Sequence, residues 1–571
     1  MNGAHMLIET LLKQGVDVTF GFPGGSVIPL FDAYLDYKGK IRNILVRHEQ
    51  GAAHAAEGYA RASGKAGICI ATSGPGVTNL VTGIMDAYMD SVPVIALGGQ
   101  VVTNLIGNDA FQEADMMGIT LPITKHNFQV REPNQMAPTI MKAFKIAMEG
   151  RKGPVYIDLP KDTQMGEVTE PIPNEVTIAG FQPTILPNPV QIKKAAEAII
   201  NSERPLFLIG QGVILSDACK ELAELVELTK IPVSTTFMAK GSFDEGHPLS
   251  LGTVGMHGRK IANYATVNTD LLITIGCRFS DRITGNLKTY AENAKVIHAD
   301  IDPAEIGKNV KVDIPIVGDA KEVIKELTSL LRKRTIKEKE KWVKLIKKYK
   351  VCCDACVKEK PSKKIHPKEV MLALNEVLKP EDIVVTGVGQ HQMFAGHFIK
   401  RSKPGTFISS GGAGTMGFGF PASIGAKVAK PDVNVFLVDG DGSFQMTIQE
   451  LGTVKEAGIK VIAIIMNNSY LGMVRQWLEL FSDGRYSEVY LGNTPDFVKV
   501  AEAYGLKGIR VKKKEEIIPA LRQAIKNDVT TIIDMQIEEE SNILPMLPPG
   551  GHVKDAFGGC MVGPGKFFGD D

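Results

Sequence analysis

The stretch from Val433 to Met473 (VNVFLVDGDGSFQMTIQELGTVKEAGIKVIAIIMNNSYLGM) sets the frame for the fold. Val433 to Val438 is an apolar, branched run of strand length that stops at Asp439-Gly440-Asp441-Gly442. The pattern predicts a helix from Phe444 to Glu456, then a second strand from Val461 to Met466 closed by Asn467-Asn468. That is a βαβ unit with oxygen-bearing residues at the carboxyl ends of two strands, where open parallel sheets bind ligands. The glycines let the backbone approach a phosphate, and Asp441 and the Asn468 amide are hard oxygen donors. Mg²⁺ takes about six such oxygens and often shares them with bound phosphates. Taken alone, the GDG triplet is equally a tight turn between buried strands.

Composition narrows the class. At 571 residues the chain exceeds one core, and roughly three or four domains are expected. A formal net charge of +1 gives no reason to expect nucleic acid or an anionic membrane as partner. No run of about 18 apolar residues suggests a membrane span, and MNGAHMLIETLLKQGV reads as an amphipathic helix rather than a leader. Seven scattered cysteines fit reduced thiols in a cytoplasm. Cys352, Cys353 and Cys356 cluster without a second pair or histidine at zinc spacing, and read as a chance group on a lysine-rich connector.

From the N-terminus, strands around Val18–Gly21, Ile44–Val46 and Ile68–Ala71 alternate with helices, which predicts a parallel α/β domain. Glu49 follows a strand and precedes GAAHAAEGYARA, a small, nearly uncharged helix suited to close packing. Gly153 to Lys161 reads as a buried strand leaving the domain. Gly166 to Pro189 is proline-rich and aperiodic, an extended linker. A second α/β domain then begins near Val190, with strand ends at Gly210-Gln211-Gly212, Thr236, Gly255, Gly276, Asp300 and Asp319. Gly-x-Gly after a strand lacks the third glycine of the dinucleotide fingerprint. Glu322 to Lys364 reads as one charged, solvated linking helix. From His366 the chain restarts with a strand, Ile383–Thr386, running into Gly387-Val388-Gly389-Gln390-His391, whose N–H groups suit a phosphate.

The GDG and Asn-Asn elements, with 24 residues (443 to 466) between them, resemble the signature of thiamine-diphosphate (ThDP) enzymes. The segments SGPGVTNLVTGIMDAYMDSVPV, IGNDAFQE, ITKHN, GPVYIDLPKD and LGMVRQW resemble one family within it, the acetohydroxyacid (acetolactate) synthases, catalytic subunit. GMHG, RFSDRITG and DIDPAEIGKN resemble the FAD-binding segments of its biosynthetic members. One loop departs: the family's Gln-Val-Pro and arginine are replaced by Gln100-Val101-Val102-Thr103-Asn104.

The resemblance implies three doubly wound α/β parallel-sheet domains: a pyrimidine-binding domain (1–165), a central FAD-binding domain (190–335) and a diphosphate-binding domain (366–540). A linker (166–189), a charged linker helix (336–365) and a lid with tail (541–571) complete the division. It implies Mg²⁺ held by Asp441, Asn468 and the Tyr470 carbonyl, and ThDP held by Gly389, Gln390, His391, Gly414, Met416, Gly442, Ser443 and Met473. Glu49 would bond the cofactor's pyrimidine, Met416 would bend it, and Gln112 and Lys161 would act at the reacting centre. Phe111, Arg282 and Trp477 would meet substrate. FAD, without net redox change, would meet Arg151, Gly210, Gly212, Thr236, Met238, Gly255, His257, Gly276, Arg278, Asp300 and Asp319. The implied activity decarboxylates pyruvate and adds its two-carbon unit to pyruvate or 2-oxobutyrate. The implied assembly is a homodimer or dimer of dimers, with a small regulatory subunit as a further partner. An oxidase using the same cofactors and a non-catalytic paralogue remain open here.

Overall fold

The computed structural model describes residues 1–337, 339–355, 363–492, 495–551 and 555–557. Cys356 and the whole tail from 558 onward lie outside them.

Three parallel six-stranded sheets carry the chain. The first contains β1 (Val18–Gly21), β2 (Arg42–Leu45), β3 (Gly67–Ala71), β4 (Val94–Gln100), β5 (His126–Gln129) and β6 (Val155–Pro160), in the order 2-1-3-4-6-5. The second contains β7 (Pro205–Ile209), β8 (Val233–Thr235), β9 (Ser250–Thr253), β10 (Leu271–Ile275), β11 (Lys295–Asp300) and β12 (Ile314–Val317), in the order 12-11-10-7-8-9. The third contains β13 (Ile383–Thr386), β14 (Phe407–Ile408), β15 (Val435–Gly440), β16 (Ile462–Asn467), β17 (Lys507–Val511) and β18 (Thr531–Gln536), in the order 14-13-15-16-18-17. Central strands such as β4, β15 and β16 are buried along their whole length. That is why they read as continuous apolar runs rather than as an alternation.

Strand order locates the crevices. The first and third sheets repeat one topology, with reversal points between β1 and β3 and between β13 and β15. In the second sheet the order, renumbered from β7, is 6-5-4-1-2-3, which read backwards is the dinucleotide-binding order 3-2-1-4-5-6. Its reversal point lies between β7 and β10.

The first and third sheets belong to one compact unit (1–182, 382–392, 408–539), and the second to another (183–381, 393–407, 540–571). Within the first unit, the helix Glu49–Ser63 packs on the helix Gly419–Ala429. A Cβ on Gly58 would stand 2.0 Å from the Ala422 carbonyl oxygen, and one on Gly425 only 1.8 Å from that of Ala55. The small residues of GAAHAAEGYARA therefore bring two helix backbones into direct contact.

Two expected helices are corrected. The predicted Phe444–Glu456 helix is three short pieces: α-helix Asp441–Gln445, a 3₁₀ turn Ile448–Glu450 and α-helix Leu451–Glu456. The Thr447 hydroxyl donates to the Gly417 carbonyl at 2.9 Å at the break. The predicted solvated helix over 322–364 is two helices, Ala320–Arg332 and Glu340–Ala355. The first buries Val323, Ile324, Leu327 and Leu331 in the core beside the second sheet. The second buries Trp342, Ile346 and Tyr349, at helical spacing, in that unit's other core. Most of their lysines are exposed, while Lys350 turns inward and donates to the Ser250 carbonyl at 2.6 Å.

Candidate active site

At the reversal point of the third sheet, β15 delivers Asp441 to the first turn of the helix Asp441–Gln445. The side chain is 1% exposed, and Oδ2 has no partner among the described residues. Burial pushes the carboxyl up to about 7, against the pull of the backbone N–H groups of Asp441, Ser469, Gly442 and Asn468. Asn468, just past β16, is also buried, and its Oδ1 accepts the Tyr470 N–H at 3.2 Å. A buried, unpartnered carboxylate oxygen beside an amide oxygen fits a hard cation, which would restore the charge that burial disfavours.

Around it stand the other candidates from β13 and the glycine loop. The His391 ring lies under Gly440, where a Cβ would sit 2.8 Å from Nδ1, and its Nε2 is 3.4 Å from Asp439 Oδ1. Ser443 Oγ accepts N–H bonds from Gly417 at 3.2 Å and Val388 at 3.4 Å. Gly414 takes a φ of +67°, in the loop that presents Met416. The Met416 methyl hangs 3.7 Å from where a Gly442 Cβ would be, next to Leu471 and Leu491. Gln390 donates to Gln476 at 2.8 Å, on the helix Gly472–Phe481 that also holds Met473 and Trp477. The Trp477 ring meets Phe481 edge-on at 5.6 Å.

A second cluster in the same unit gathers after β2 and β3. His48, not Glu49, caps the helix Glu49–Ser63, its Nδ1 accepting the Gln50 N–H at 3.2 Å. Glu49 is the first helical residue, 8% exposed, and its Oε2 accepts the Asn79 amide at 2.9 Å. A Cβ on Gly76 would lie 3.2 Å from Glu49 Oε1, so one face of the carboxylate is lined by backbone. Gln112 adopts φ +60° and packs where a Gly74 side chain would otherwise stand. Phe111 beside it is 88% exposed. Lys161 opens the short helix Lys161–Met165 at the end of β6.

Sequence reading missed the residues that lock these segments together. Glu450 accepts the backbone N–H groups of Arg47 (3.1 Å) and His48 (3.0 Å) and the Thr453 hydroxyl (2.6 Å). Its carboxyl is pushed up to about 7 by burial. Asp90 accepts the N–H groups of Gly411 (2.9 Å) and Gly412 (2.7 Å), and Asp86 accepts the Ser410 hydroxyl at 2.7 Å. These bonds fix the glycine loop that carries Met416. Asp86 also faces His54 and Glu57, three buried side chains with donor atoms within 4.8 Å of one another. Burial and the neighbouring Asp90 push Asp86 up to about 8, burial and Asp86 raise Glu57 against the pull of Arg61 at 3.2 Å, and burial lowers His54 to about 3.

In the other unit, the candidates cluster at the carboxyl ends of the second sheet. Gly210 and Gly212 meet Gly276 so closely that a Cβ on Gly210 would stand 1.9 Å from the Gly276 oxygen. The pair thus has a packing reason independent of any ligand. Thr236 donates its N–H to Ile209 at 2.8 Å, with Met238 in the next 3₁₀ turn. Gly255, at φ +117°, is held by Asn263 through two 2.9 Å bonds. His257 follows, its Nδ1 buried and without a partner among the described residues, its ring lowered to about 3 by burial. Arg278 follows β10, Asp300 ends β11, and Asp319 caps the helix Ala320–Arg332. An orphaned nitrogen on the rim of a 3-2-1-4-5-6 sheet fits a dinucleotide such as FAD. Arg282 donates to Met256 Sδ at 3.3 Å, and Leu547 of the terminal segment donates to the Met256 carbonyl at 2.9 Å. Arg151 lies in the first unit, donating to Ser91 Oγ at 3.0 Å.

Comparison with known proteins matches three family models. They are the thiamine pyrophosphate enzyme N-terminal TPP binding domain (residues 1–119), central domain (192–327) and C-terminal TPP binding domain (387–535). The chain is 53% identical over 562 residues to a "Probable acetolactate synthase large subunit" of Methanocaldococcus jannaschii, covering 97% of this chain and 94% of that protein. It is 50% identical over 568 residues to a protein of the same description from Methanococcus aeolicus, covering 96% and 94%. An "Acetolactate synthase large subunit" of Corynebacterium glutamicum is 46% identical over 562 residues, covering 97% and 90%.

Proposed function

Because the chain belongs to the acetolactate synthase large subunits, a family of thiamine pyrophosphate enzymes, we propose that its two clusters in the first unit form the halves of a carboligase site. The reaction is decarboxylation of pyruvate and transfer of its two-carbon unit to a second 2-keto acid. With pyruvate as acceptor the product is 2-acetolactate, and with 2-oxobutyrate it is 2-aceto-2-hydroxybutyrate, for valine, leucine and isoleucine biosynthesis. Thiamine diphosphate, when bound, supplies the electron sink for both carbon–carbon steps.

The chain's residues do the rest. Glu49, oriented by Asn79, holds a proton at N1′ of the pyrimidine. Asp441, Asn468 and the Tyr470 carbonyl hold Mg²⁺, and Gly389, Gln390, His391, Gly442 and Ser443 receive the diphosphate. Met416 would lie against the bound cofactor and hold its reacting groups near one another, a proximity effect. Gln112 and Lys161 orient the 2-keto acids, Phe111 lines the substrate side of the site, and Trp477 bounds the acceptor pocket. Arg282 is assigned to the substrate path on resemblance alone. FAD occupies the rim of the second sheet as a non-redox group, and the working assembly is a homodimer or larger in the cytoplasm, with a small regulatory subunit as partner. Among the described residues no helix is long and apolar enough to cross a membrane.

The observation that carries the reading is the buried, unpartnered Asp441 oxygen beside Asn468 at a sheet's reversal point. The test is acetolactate formed from pyruvate with thiamine diphosphate and Mg²⁺, with FAD present and then stripped out. Product only with FAD is expected. Product without it keeps the carboligase and removes the flavin requirement, whereas flavin reduction during turnover, or no product, overturns the reading.

A further inference from the structure

The loop 101–114 departs from its family where it leaves β4, and the structure shows what stands in place of the missing proline and arginine. The Thr103 N–H donates to Asp162 Oδ1 at 3.0 Å and its hydroxyl donates to Oδ2 of the same carboxylate. Asp162 is the neighbour of Lys161, in the first turn of the helix Lys161–Met165. One threonine thereby ties the outgoing limb of the loop to the turn carrying that lysine.

The rest of the loop is stapled independently. At its mouth the Gln100 side chain accepts the Val101 N–H at 2.9 Å and donates to the Ala114 carbonyl at 3.1 Å, closing both limbs on one amide. That amide also reaches buried Asp158 at 3.3 Å, which accepts Gln129 at 2.8 Å and the Tyr156 hydroxyl at 3.0 Å. Inside the loop Glu113 accepts the N–H groups of Gly107 and Ala110. At the tip stand exposed Phe111 and Gln112 with its left-handed backbone. A non-glycine residue holds such a conformation only when its surroundings over-determine it.

We propose that Thr103 is a positioning residue: its bidentate bond to Asp162 sets Phe111 and Gln112 in register with Lys161 and so tunes binding of the 2-keto acids. This rests on the assignment of Phe111, Gln112 and Lys161 to the active site. Thr103 acts through Asp162 and touches no substrate. Losing the hydroxyl loosens the loop without removing a group from the chemistry. The effect therefore falls on KM and on the choice between acceptors, not on the chemical step.

The test uses the full-length enzyme with its cofactors. Thr103→Val keeps the backbone bond and the side chain's shape but loses the hydroxyl bond to a carboxylate, the stronger kind. Expected is a rise of about tenfold in KM for pyruvate, a changed ratio of 2-oxobutyrate to pyruvate as acceptor, kcat within about twofold, and an unchanged melting temperature. Thr103→Ser restores wild-type values, and Asp162→Ala, which removes both acceptor oxygens, raises KM at least as much as Thr103→Val does. A fall in kcat at constant KM, or no rescue by serine, overturns the latch. Gln112→Ala separates the two readings: if it leaves all kinetics untouched, the site assignment fails. If it lowers activity while Thr103→Val does nothing, only the latch fails.

Discussion

Glu49 carries a sharp expectation because, among the described residues, its carboxylate makes one side-chain bond, to Asn79, and otherwise faces backbone at Gly76. Glu49→Gln keeps the shape and the first position of its helix but cannot hold or release the proton. Activity with thiamine diphosphate and Mg²⁺ should fall by at least 100-fold, the range of general acid–base catalysis. The thermal midpoint should stay close to wild type.

A second prediction concerns proton linkage. Asp441 and Glu450 are raised to about 7 and Asp86 to about 8, each chiefly by burial. The folded chain keeps protons that the unfolded chain releases near pH 4. The stability these three carboxyls contribute is therefore full at low pH and is lost as pH rises through 7 to 8. Below about pH 6.5 the buried histidines His54, His257 and His397, lowered to about 3–4, oppose this trend, so thermal melts of the cofactor-free protein should show a midpoint that declines from about pH 6.5 to 8 and then levels. Asp441→Asn should flatten part of that decline, and Mg²⁺ with thiamine diphosphate should do the same in the wild type by favouring the ionised carboxylate. A midpoint that rises over this range would reverse the assignment.

At the scale of elements, the segment from 320 to 355 shows where sequence reading succeeds and where it stops. Helical periodicity was visible there, but a high lysine count masked the spacing of Trp342, Ile346 and Tyr349, all buried. A solvated helix would tolerate Trp342→Ala. A buried indole whose N–H donates to the Pro205 carbonyl at 3.0 Å would not. The substitution should destabilise its unit by about 3–5 kcal/mol, read by chemical denaturation. The Asp441 and Asn468 donors were legible because each lies at the end of an apolar run, so local pattern and site coincide. Glu450 and Asp90 were not, because the backbone amides they accept lie hundreds of positions away. Nothing in a local window distinguishes such a carboxylate from a solvated one. The break at Thr447 was hidden for the same reason: its partner, Gly417, belongs to another element.

For the whole molecule, topology adds what motif reading left weak. Gly210-Gln211-Gly212 lacks a full dinucleotide fingerprint, and its glycines are accounted for by contact with Gly276. The strand order of the second sheet nevertheless places a crevice between β7 and β10. If FAD occupies it, FAD at about 100 times its Kd should stabilise the protein by about 2.7 kcal/mol, seen as a raised melting temperature without any substrate. His257→Leu should reduce that gain while leaving flavin-free melting nearly unchanged. Equal melting with and without FAD in the wild type would remove the flavin from this sheet.

The contact between the helices Glu49–Ser63 and Gly419–Ala429 bears on the birth of the protein as well as its finished state. Ala55 and Gly425, which touch through their backbones, are 370 positions apart (425 minus 55), and most of a second compact unit (183–381 and 393–407) is encoded between them. At a synthesis rate of ~5–20 residues per second, the earlier helix waits on the order of 20–70 s before its partner exists. Throughout that interval a nearly uncharged, alanine-rich surface is displayed on the nascent chain. Translation speed through the intervening unit, and the supply of chaperones that shield such surfaces, should therefore govern the yield of soluble enzyme more strongly than the stability of the completed fold.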